Sequence, residues 1–564
     1  MNILRGCIIK CLFVMFLIIS PLYCESLDFM DFSPIYSLEF LLHHRPEVIP
    51  PPKGVPFDLD FSSIDLDSPK KVRRPICFII KNIEFVPLGI KDTDPRKILK
   101  KFSFSYKVAK PYIETCMGAR EINIFLNKLN AKSIQKGYVT TKFGLLPQDL
   151  ASHTLKIGIQ IGFVGDIEYL NEGQMFFFGK DFGVKRGDVL NLQTIELGVS
   201  NLKRLRYLST TSKIIPMEKD SKVSIVLDVK SLPIFMQASF DNGGSVEEGY
   251  EGTFLLGIEN PFHLADSLQI YLLGSIPFSK INHSYYASLS YSIPIRRFLF
   301  QIDSSYAHNA NQLVFYGISP IYSGQSVNVD LKTTYLAYAD TKNQFSFGLG
   351  FSGRFSDNYL ENIKLDVQTK RLAEISAFLS YKRYIKNSQL NFILSLIQGV
   401  PAFNANEIVD KRSYSYTIPS LNLYLYDPFN LWKSLFVYSS TIKTQISRDH
   451  LYASEKMSIG GRYSVRGFNH FSLSGQMGVL YRNDLTIYLP SFWGFTLAPS
   501  LGMDIGYVRD VIGDNEGTGL LSGGGAGIQL LYKYFNAQVW GYLPFYNPYN
   551  APTQNLFFSV GVNW

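Results

Sequence analysis

The sequence predicts two small α+β modules followed by a transmembrane antiparallel β-barrel of 16 strands. Three observations support this fold class. Aromatic residues make up 15% of the 564 residues and charged residues only 18%, which is typical of β-structure that meets lipid. From residue 233 to residue 564 no helical periodicity appears, and apolar residues alternate with small polar ones. Residues 76–231 show strand and helix patterns in a similar order twice.

Residues 1–24 have the organisation of a secretory signal peptide. Arg5 and Lys10 supply positive charge, the apolar segment "CLFVMFLIIS" follows, and Pro21 ends it. An apolar core this short favours a cleaved signal over a permanent membrane anchor, which is the alternative. The sequence therefore predicts an exported chain.

Three of the five cysteines lie within the predicted signal peptide. The exported chain keeps Cys77 and Cys116, an even number in an oxidising compartment, where disulfides form and persist. We therefore predict a disulfide between these two residues, with two free buried thiols as the alternative.

Residues 25–45 contain one predicted short helix, and residues 46–75 form a predicted proline-rich linker. Ser33 is a suitable N-cap for the helix, and Pro34 occupies the first helical position, where its missing N–H costs nothing. The linker has seven prolines and no helical period, so we expect it to be extended and semi-rigid.

Residues 76–161 and 162–231 are predicted to form the two modules. The first has the order β-α-α-β-β, from the strand "ICFIIKNIEFV" through the helices "DPRKILKKF" and "REINIFLNKLNAKSI" to the strands "YVTTKFGLL" and "TLKIGIQIG". The second repeats the order more faintly, with the strand "VGDIEYL", the helix "NLQTIELGVSNLKRLR" and the strands "TSKIIPM" and "KVSIVLDVK".

Residues 232–564 are predicted to form the barrel. A transmembrane strand takes about 9–11 residues, hence roughly 20 with its connection, which divides this region into 16 strands, an even number as such barrels require. The polar face of the strands contains Ser, Gly and Asn rather than Lys and Glu, which favours membrane strands over the alternative, an array of soluble β-sandwiches. The last strand shows two faces: Leu556, Phe558, Val560, Val562 and Trp564 against Ser559, Gly561 and Asn563.

Other motifs do not support catalysis or ligand binding. The segment "GLGFSG" at 348–353 fits a nucleotide-binding glycine pattern, but it lies inside a strand pattern and no helix follows it. The eight histidines show no metal-ligand spacing, and no G-x-S-x-G motif occurs. A net charge of +8 from scattered basic residues argues against nucleic acid. We expect no enzyme activity, cofactor, nucleotide or nucleic-acid partner.

Two tandem modules ahead of a barrel resemble two POTRA domains ahead of an outer-membrane pore. The segments "GYVTTKFGLLPQDLASHTLKIGI" and "GDVLNLQTIELGVSNLKRL" are similar to the first and second POTRA domains of the two-partner secretion transporters, the TpsB or hemolysin-activator family. "FDNGGSVEEG" resembles their entry into the barrel. "GGRYSVRGF" and "SGQMGVLYRNDL" are similar to the sixth extracellular loop and next strand of the whole insertase and translocase superfamily. The two-module count and the cysteine pair point to the TpsB branch.

The resemblance implies a pair of charged site residues. In the superfamily the arginine of this loop turns into the barrel and pairs with an aspartate of a (Phe/Gly)-x-Asp-x-Gly strand motif. The matching loop residues here are Val465, Arg466, Gly467 and Phe468, and the matching strand residues are Gly502, Asp504 and Gly506. An unpaired arginine in a partly dehydrated lumen would be costly, so we expect Arg466 to pair with Asp504. The alternative is a solvated external loop.

The resemblance also implies a function, that of a bacterial outer-membrane translocation pore with its POTRA domains in the periplasm. An unfolded TpsA-like exoprotein would bind these domains along a strand edge or groove and pass through the barrel, whose outer face would contact outer-membrane lipid. The helix in residues 25–45 would plug the lumen at rest. The alternatives are a BamA-type insertase and a passive porin or adhesin, and a porin needs no client-binding modules.

Overall fold

The computed structural model describes residues 77–89, 94–171, 184–217, 221–229, 231–243, 249–276, 281–313, 318–339, 342–403, 405, 414–468, 471–511, 517–553 and 555–564. The predicted signal peptide, plug helix and proline-rich linker therefore lie outside the described residues. Within the described ranges, no helix has the length and apolar character needed to cross a membrane.

The described part of the first module contains three α-helices and two small sheets. Its strands are β1 (Phe78–Ile80), β2 (Asn82–Leu88), β3 (Thr115–Met117), β4 (Lys142–Leu145) and β5 (Thr154–Gln160), and its helices are α1 (Pro95–Lys101), α2 (Phe104–Ala109) and α3 (Ala119–Gln135). β5 pairs in parallel with β2 and antiparallel with β4, and β1 pairs with β3. The first predicted strand is thus divided in two. The division falls at Lys81, where the backbone amides of Lys81 and Asn82 both donate to the carbonyl oxygen of His153.

The sequence of α3 explains both its start and its buried face. The Glu121 carboxylate accepts a hydrogen bond of 3.0 Å from the backbone N–H of Gly118, which caps the first turn. Ile122, Phe125 and Leu129 recur at helical spacing and are all buried. They form one hydrophobic core with the sheet residues of β2 and β5.

Among its described residues, the second module repeats this arrangement with fewer elements. It contains β6 (Val164–Asn171), α4 (Leu192–Leu202), β7 (Leu208–Pro216) and β8 (Ser221–Val229). β8 lies between β6, with which it is parallel, and β7, with which it is antiparallel. Asn191 caps α4 by accepting a 2.9 Å hydrogen bond from the N–H of Gln193. Ile195 and Val199 then bury the apolar face of the helix.

The barrel is a closed antiparallel sheet of 16 strands, which confirms the predicted fold class. Its strands are β9 (Ile234–Asp241), β10 (Tyr250–Glu259), β11 (Ser267–Ile276), β12 (His283–Ile295), β13 (Phe298–Gln312), β14 (Ile321–Ala339), β15 (Asn343–Leu360), β17 (Lys370–Ile385), β18 (Ser388–Gly399), β19 (Thr417–Leu431), β20 (Ser434–Gln445), β23 (Met477–Tyr488), β24 (Phe495–Arg509), β25 (Gly519–Tyr532), β26 (Phe535–Tyr546) and β27 (Leu556–Asn563). The connections also contain β16 (Ile363–Lys364), β21 (Met457–Ile459) and β22 (Leu473–Gly475). The sheet closes where β27 pairs with β9.

Alternation along the strands puts apolar side chains on the outside of the barrel. On β27, Val560 and Val562 are 39% and 49% exposed, whereas Ser559 between two such positions is 7% exposed. On β24, Met503 and Ile505 are exposed and Asp504 between them is buried. The outer surface is therefore apolar, and small or polar residues face the lumen, as expected for strands in a bilayer.

The second module contacts the barrel end at which the chain enters. Arg204 donates a 2.7 Å hydrogen bond to the hydroxyl of Ser292, and the backbone N–H of Tyr207 donates one of 3.0 Å to the carboxylate of Glu259. The guanidinium of Arg206 lies 4.2 Å from the ring centroid of Phe235 on β9. These contacts attach the segment after α4 to the first strands of the barrel.

Candidate functional site in the barrel lumen

Loop 6, residues 446–476 between β20 and β23, starts at the barrel end opposite the modules and folds into the lumen. Val465, Arg466 and Phe468 are almost completely buried, at 0%, 1% and 1% exposure. The turn that brings them inward needs a residue with a left-handed backbone, and Gly467 has φ of 96°. A Cβ on Gly467 would lie 2.8 Å from the backbone carbonyl carbon of Leu543, so β26 leaves no room for a larger residue.

Arg466 forms a forked ion pair with Asp504 on the inner face of β24. Its Nε lies 2.6 Å from Oδ2 of Asp504 and its Nη2 donates a 2.7 Å hydrogen bond to Oδ1. The backbone N–H of Arg466 donates to the same carboxylate at 3.0 Å. This two-oxygen geometry is the one that fixes both the position and the orientation of a guanidinium.

Both terminal nitrogens of Arg466 also donate to β23. Nη1 donates to the carboxylate of Asp484 on β23, and Nη2 donates at 3.1 Å to the carbonyl oxygen of Asn483. Arg482, two residues from Asp484, has its Nε 3.5 Å from Asp484 and 4.0 Å from Asp504. We call Arg466, Arg482, Asp484 and Asp504 the lumenal anchor. Two cations and two carboxylates balance its charge, which offsets part of the cost of burial.

The glycines of the strand motif make room for the loop. A Cβ on Gly502 would collide with the guanidinium of Arg466, and one on Gly506 would lie 2.8 Å from the side chain of Ile459. Gly523 on β25 has the same role, because a Cβ there would meet the carbonyl oxygen of Arg466. Sequence reasoning brought together Arg466, Asp504 and the flanking glycines, but it missed Asp484 and Gly523.

The residues beside Arg466 fill the space between the loop and the barrel wall. Val465 and Phe468 belong to one buried cluster with Ile459, Val508 and Leu521. Phe468 also forms an isolated bridge with Thr553, beyond the end of β26. Apolar packing thus surrounds the lumenal anchor on the loop side, and it lowers the local dielectric around the ion pairs.

Cys77 and Cys116 lie in the first module, far from the lumenal anchor in the chain. The structure joins them by a disulfide, with a Cα–Cα distance of 5.4 Å. Cys116 is on β3 opposite Ile79 of β1, so the bond lies beside the pairing of these two short strands.

Comparison with known proteins agrees with this architecture. The profile of the family described as haemolysin secretion/activation protein ShlB/FhaC/HecB matches residues 219–530. The chain belongs to this family. The profile of the ShlB-type POTRA domain matches residues 94–162, which cover most of the first module. The predicted resemblance to the two-partner secretion transporters is confirmed.

Individual relatives span most of the chain. Hemolysin transporter protein HpmB of Proteus mirabilis is 27% identical over 437 residues, covering 73% of this chain and 75% of that protein. Outer membrane transporter CdiB-2 of Burkholderia pseudomallei strain 1026b is 24% identical over 470 residues, covering 81% and 80%. Among solved structures, CdiB from Acinetobacter baumannii has a TM-score of 0.76 at 20% identity, covering 97% of this chain and 99% of that one.

These findings support transport as the function and the outer membrane as the location. The chain is an outer-membrane transporter of the two-partner secretion type, with POTRA domains on the periplasmic side. The insertase alternative has less support, because the matched relatives are named as transporters. The end of the barrel that contacts the second module is accordingly the periplasmic end, and loop 6 starts at the cell surface.

Proposed function

We propose that the chain exports an unfolded TpsA-like exoprotein, and that it binds and conducts this client without catalysis, nucleotide, cofactor or nucleic acid. The observation that carries the proposal is loop 6, which the lumenal anchor holds inside the barrel. A loop in this position narrows the lumen through which a client would pass. Secretion would therefore require loop 6 to move. Folding of the client outside the cell would draw it outward.

We assign Arg466 and Asp504 the role of a lock on loop 6, supported by their forked ion pair and complete burial. Val465 and Phe468 support the lock through packing, and Gly467, Gly502 and Gly506 support it by leaving space. The outer face of the barrel would contact outer-membrane lipid, for which its apolar side chains are suited.

Co-expression with a candidate TpsA-like exoprotein, sought first in the neighbouring reading frames, tests the proposed function. The exoprotein is expected in the culture medium only when the transporter is present, with periplasmic markers retained in the cells. If outer-membrane protein assembly, rather than release of the exoprotein, depends on this chain, it is an insertase. Release of periplasmic markers together with the exoprotein would instead indicate a non-selective porin.

A basic cleft on the periplasmic modules is our proposed docking site for the client. The cleft has a volume of 510 Å³ and lies between the first module and the start of α4. Its lining includes four lysines and two aromatic residues: Lys101, Lys107, Lys132, Lys136, Phe104 and Tyr138. None of the described residues that line it is acidic. Burial raises the pKa of Tyr138, which adds to the ordinary preference of a phenol for its neutral form.

The chemistry of the cleft favours an extended client segment that carries acidic and aromatic side chains. Lysines attract carboxylates over distances of about 8–10 Å at physiological ionic strength, which speeds capture of an unfolded chain. Phe104 is buried and Tyr138 half-buried in the floor, and the two rings stack 6.3 Å apart. Such a surface can accept an aromatic side chain between the charges.

Peptide binding to the full-length protein in detergent tests the basic cleft. The probe is a labelled dodecapeptide of alternating glutamate and tyrosine. Replacing Lys107 and Lys136 with glutamine should weaken binding roughly tenfold, since each exposed charge contributes up to about 1 kcal/mol. The matched control is Lys97→Gln with Lys100→Gln on α1, outside the cleft, which should leave affinity nearly unchanged. Equal losses in both double variants would show non-specific attraction and overturn the assignment.

A further inference from the structure

Loop 6 carries a second arginine, the largely buried Arg462, which contacts a different wall of the barrel from Arg466. Its Nη1 lies 3.1 Å from Oδ1 of Asp241, and its Nη2 lies 3.6 Å from Oε2 of Glu251. The guanidinium carbon lies 4.5 Å from the ring centroid of Phe557, within the range of a cation–π contact. The side chains of Arg462 and Asp241 are only 15% and 8% exposed, so bulk water screens this pair weakly.

These three partners lie on the three strands around the seam, which we define as the pairing of β9 with β27. Asp241 ends β9, Glu251 lies on β10 and Phe557 on β27. The seam pairs five residues of each strand, Gln237–Asp241 with Ser559–Asn563. The pairings on either side are longer, at eight residues for β9 with β10 and seven for β26 with β27. Among the described pairings of the sixteen barrel strands with their neighbours, the seam is the shortest ladder.

The carboxylates of Asp241 and Glu251 repel each other, and Arg462 offsets this repulsion. Asp241 and Glu251 are directly opposite each other in the register of β9 and β10. Like charges at opposed positions destabilise a ladder, and here one of them also ends the seam. The guanidinium of Arg462 lies against both carboxylates and neutralises their repulsion. A Cβ on Gly243 would collide with Nη1 of Arg462, so the chain after β9 leaves space for this contact.

We propose that Arg462 holds the seam closed and thereby couples seam closure to the seating of loop 6. The two arginines are connected, because Nη1 of Arg482 in the lumenal anchor donates a 2.8 Å hydrogen bond to the carbonyl oxygen of Arg462. Withdrawal of loop 6 removes the guanidinium and leaves two opposed carboxylates beside the shortest ladder. The seam therefore loosens when the loop leaves. Arg462 is a positioning residue, and this inference does not depend on the identity of the client.

Hydrogen exchange of the full-length protein in detergent tests the coupling. In Arg462→Gln, the backbone amides of 236–241 and 557–563 should exchange at least about tenfold faster than in the parent protein, because the ladder opens locally. Adding Asp241→Asn and Glu251→Gln to Arg462→Gln should restore most of the protection, since the repulsion is then absent. A purely structural loss of contacts would not be rescued by neutralising these two carboxylates.

Two comparisons make the result specific to the seam. Lys456→Gln removes another ion pair of loop 6, which is partly buried, 2.8 Å long and formed with Asp510, and it should leave seam exchange unchanged. Exchange in β13 and β14, on a distant wall, should also stay unchanged. The proposal is overturned if Arg462→Gln leaves the seam protected, or if the distant wall exchanges faster to the same degree. If Arg462→Gln does not insert, Arg462→Lys replaces it. Seam exchange should then still be faster than in the parent protein, because a single ammonium cannot contact both carboxylates as two guanidinium nitrogens do.

Discussion

At the residue scale, the two carboxylates of the lumenal anchor differ in burial. This difference predicts that alanine substitutions at Arg466 and Asp504 reduce stability by different amounts. Asp504 is completely buried, whereas Asp484 is 27% exposed. Arg466→Ala leaves Asp504 with Arg482 at 4.0 Å as its nearest ion-pair partner, but Asp504→Ala leaves Arg466 its contact with Asp484. Stranding a deeply buried charge costs about 3–5 kcal/mol.

We therefore expect Arg466→Ala to lower the thermal midpoint of the barrel more than Asp504→Ala, and both to impair secretion. The midpoint can be read from heat-modifiable electrophoretic mobility of the purified protein. Lys456→Gln serves as a control for the loss of another loop 6 charge. Equal midpoints for both alanine variants would show that Asp484 contributes little to the lumenal anchor.

Direct proximity of the two lock residues gives a second residue-scale prediction. A cysteine pair at positions 466 and 504 should crosslink on oxidation in the resting membrane protein. The double exchange Arg466→Asp with Asp504→Arg should secrete better than either single exchange, because it restores opposite charges. Absence of the crosslink, together with a double exchange no better than the singles, would assign Arg466 another partner.

The residue patterns identified part of this site and could not identify the rest. A local motif placed Arg466 beside a glycine turn and Asp504 between glycines, and the structure joins them. Asp484 could not be identified from the sequence, because its position next to Arg466 depends on the register between β23 and β24. The contact of Arg462 with Asp241 joins residues 221 positions apart, and it forms only when the barrel closes. The residue pattern within a single strand cannot predict a contact that depends on closure of the barrel.

At the element scale, the disulfide compensates for the shortness of β1 and β3. Each has three residues, and their ladder lies apart from the sheet of β2, β4 and β5. Sequence alternation predicted one continuous strand here, because it records side-chain faces and not the backbone amides of Lys81 and Asn82 that turn towards His153. A covalent bond between Cys77 and Cys116 keeps so small a ladder attached.

Replacement of both cysteines by serine should therefore destabilise the first module by about 3–4 kcal/mol, the loop-closure entropy of a loop of this size. The separation of the two cysteines is 39 residues. Hydrogen exchange of α3 in the full-length protein would measure the loss, with β13 as an internal reference. Unchanged protection of α3, or two free thiols in the non-reduced exported protein, would contradict the prediction.

At the scale of the whole molecule, the predicted helix in residues 25–45 would be a second obstruction of the lumen besides loop 6. The number of strands could be predicted from the length of the barrel region, because each membrane strand and its connection need a nearly fixed number of residues. The structure has the expected 16 strands. The predicted helix in residues 25–45 has no such constraint, and its proposed place as a plug rests on family resemblance. The route through the barrel would then be obstructed twice, by loop 6 and by this helix.

Deletion of residues 25–60 should raise single-channel conductance in planar bilayers while the barrel stays folded, because loop 6 remains seated by the lumenal anchor and only the helix is lost. Deletion of residues 46–60 alone keeps the helix but shortens its linker, and it serves as the matched control. Adding Arg466→Ala to the larger deletion should raise conductance further, since the two obstructions are separate. Unchanged conductance after the larger deletion, with a further rise on Arg466→Ala, would place the helix outside the lumen and leave loop 6 as the obstruction that secretion must move.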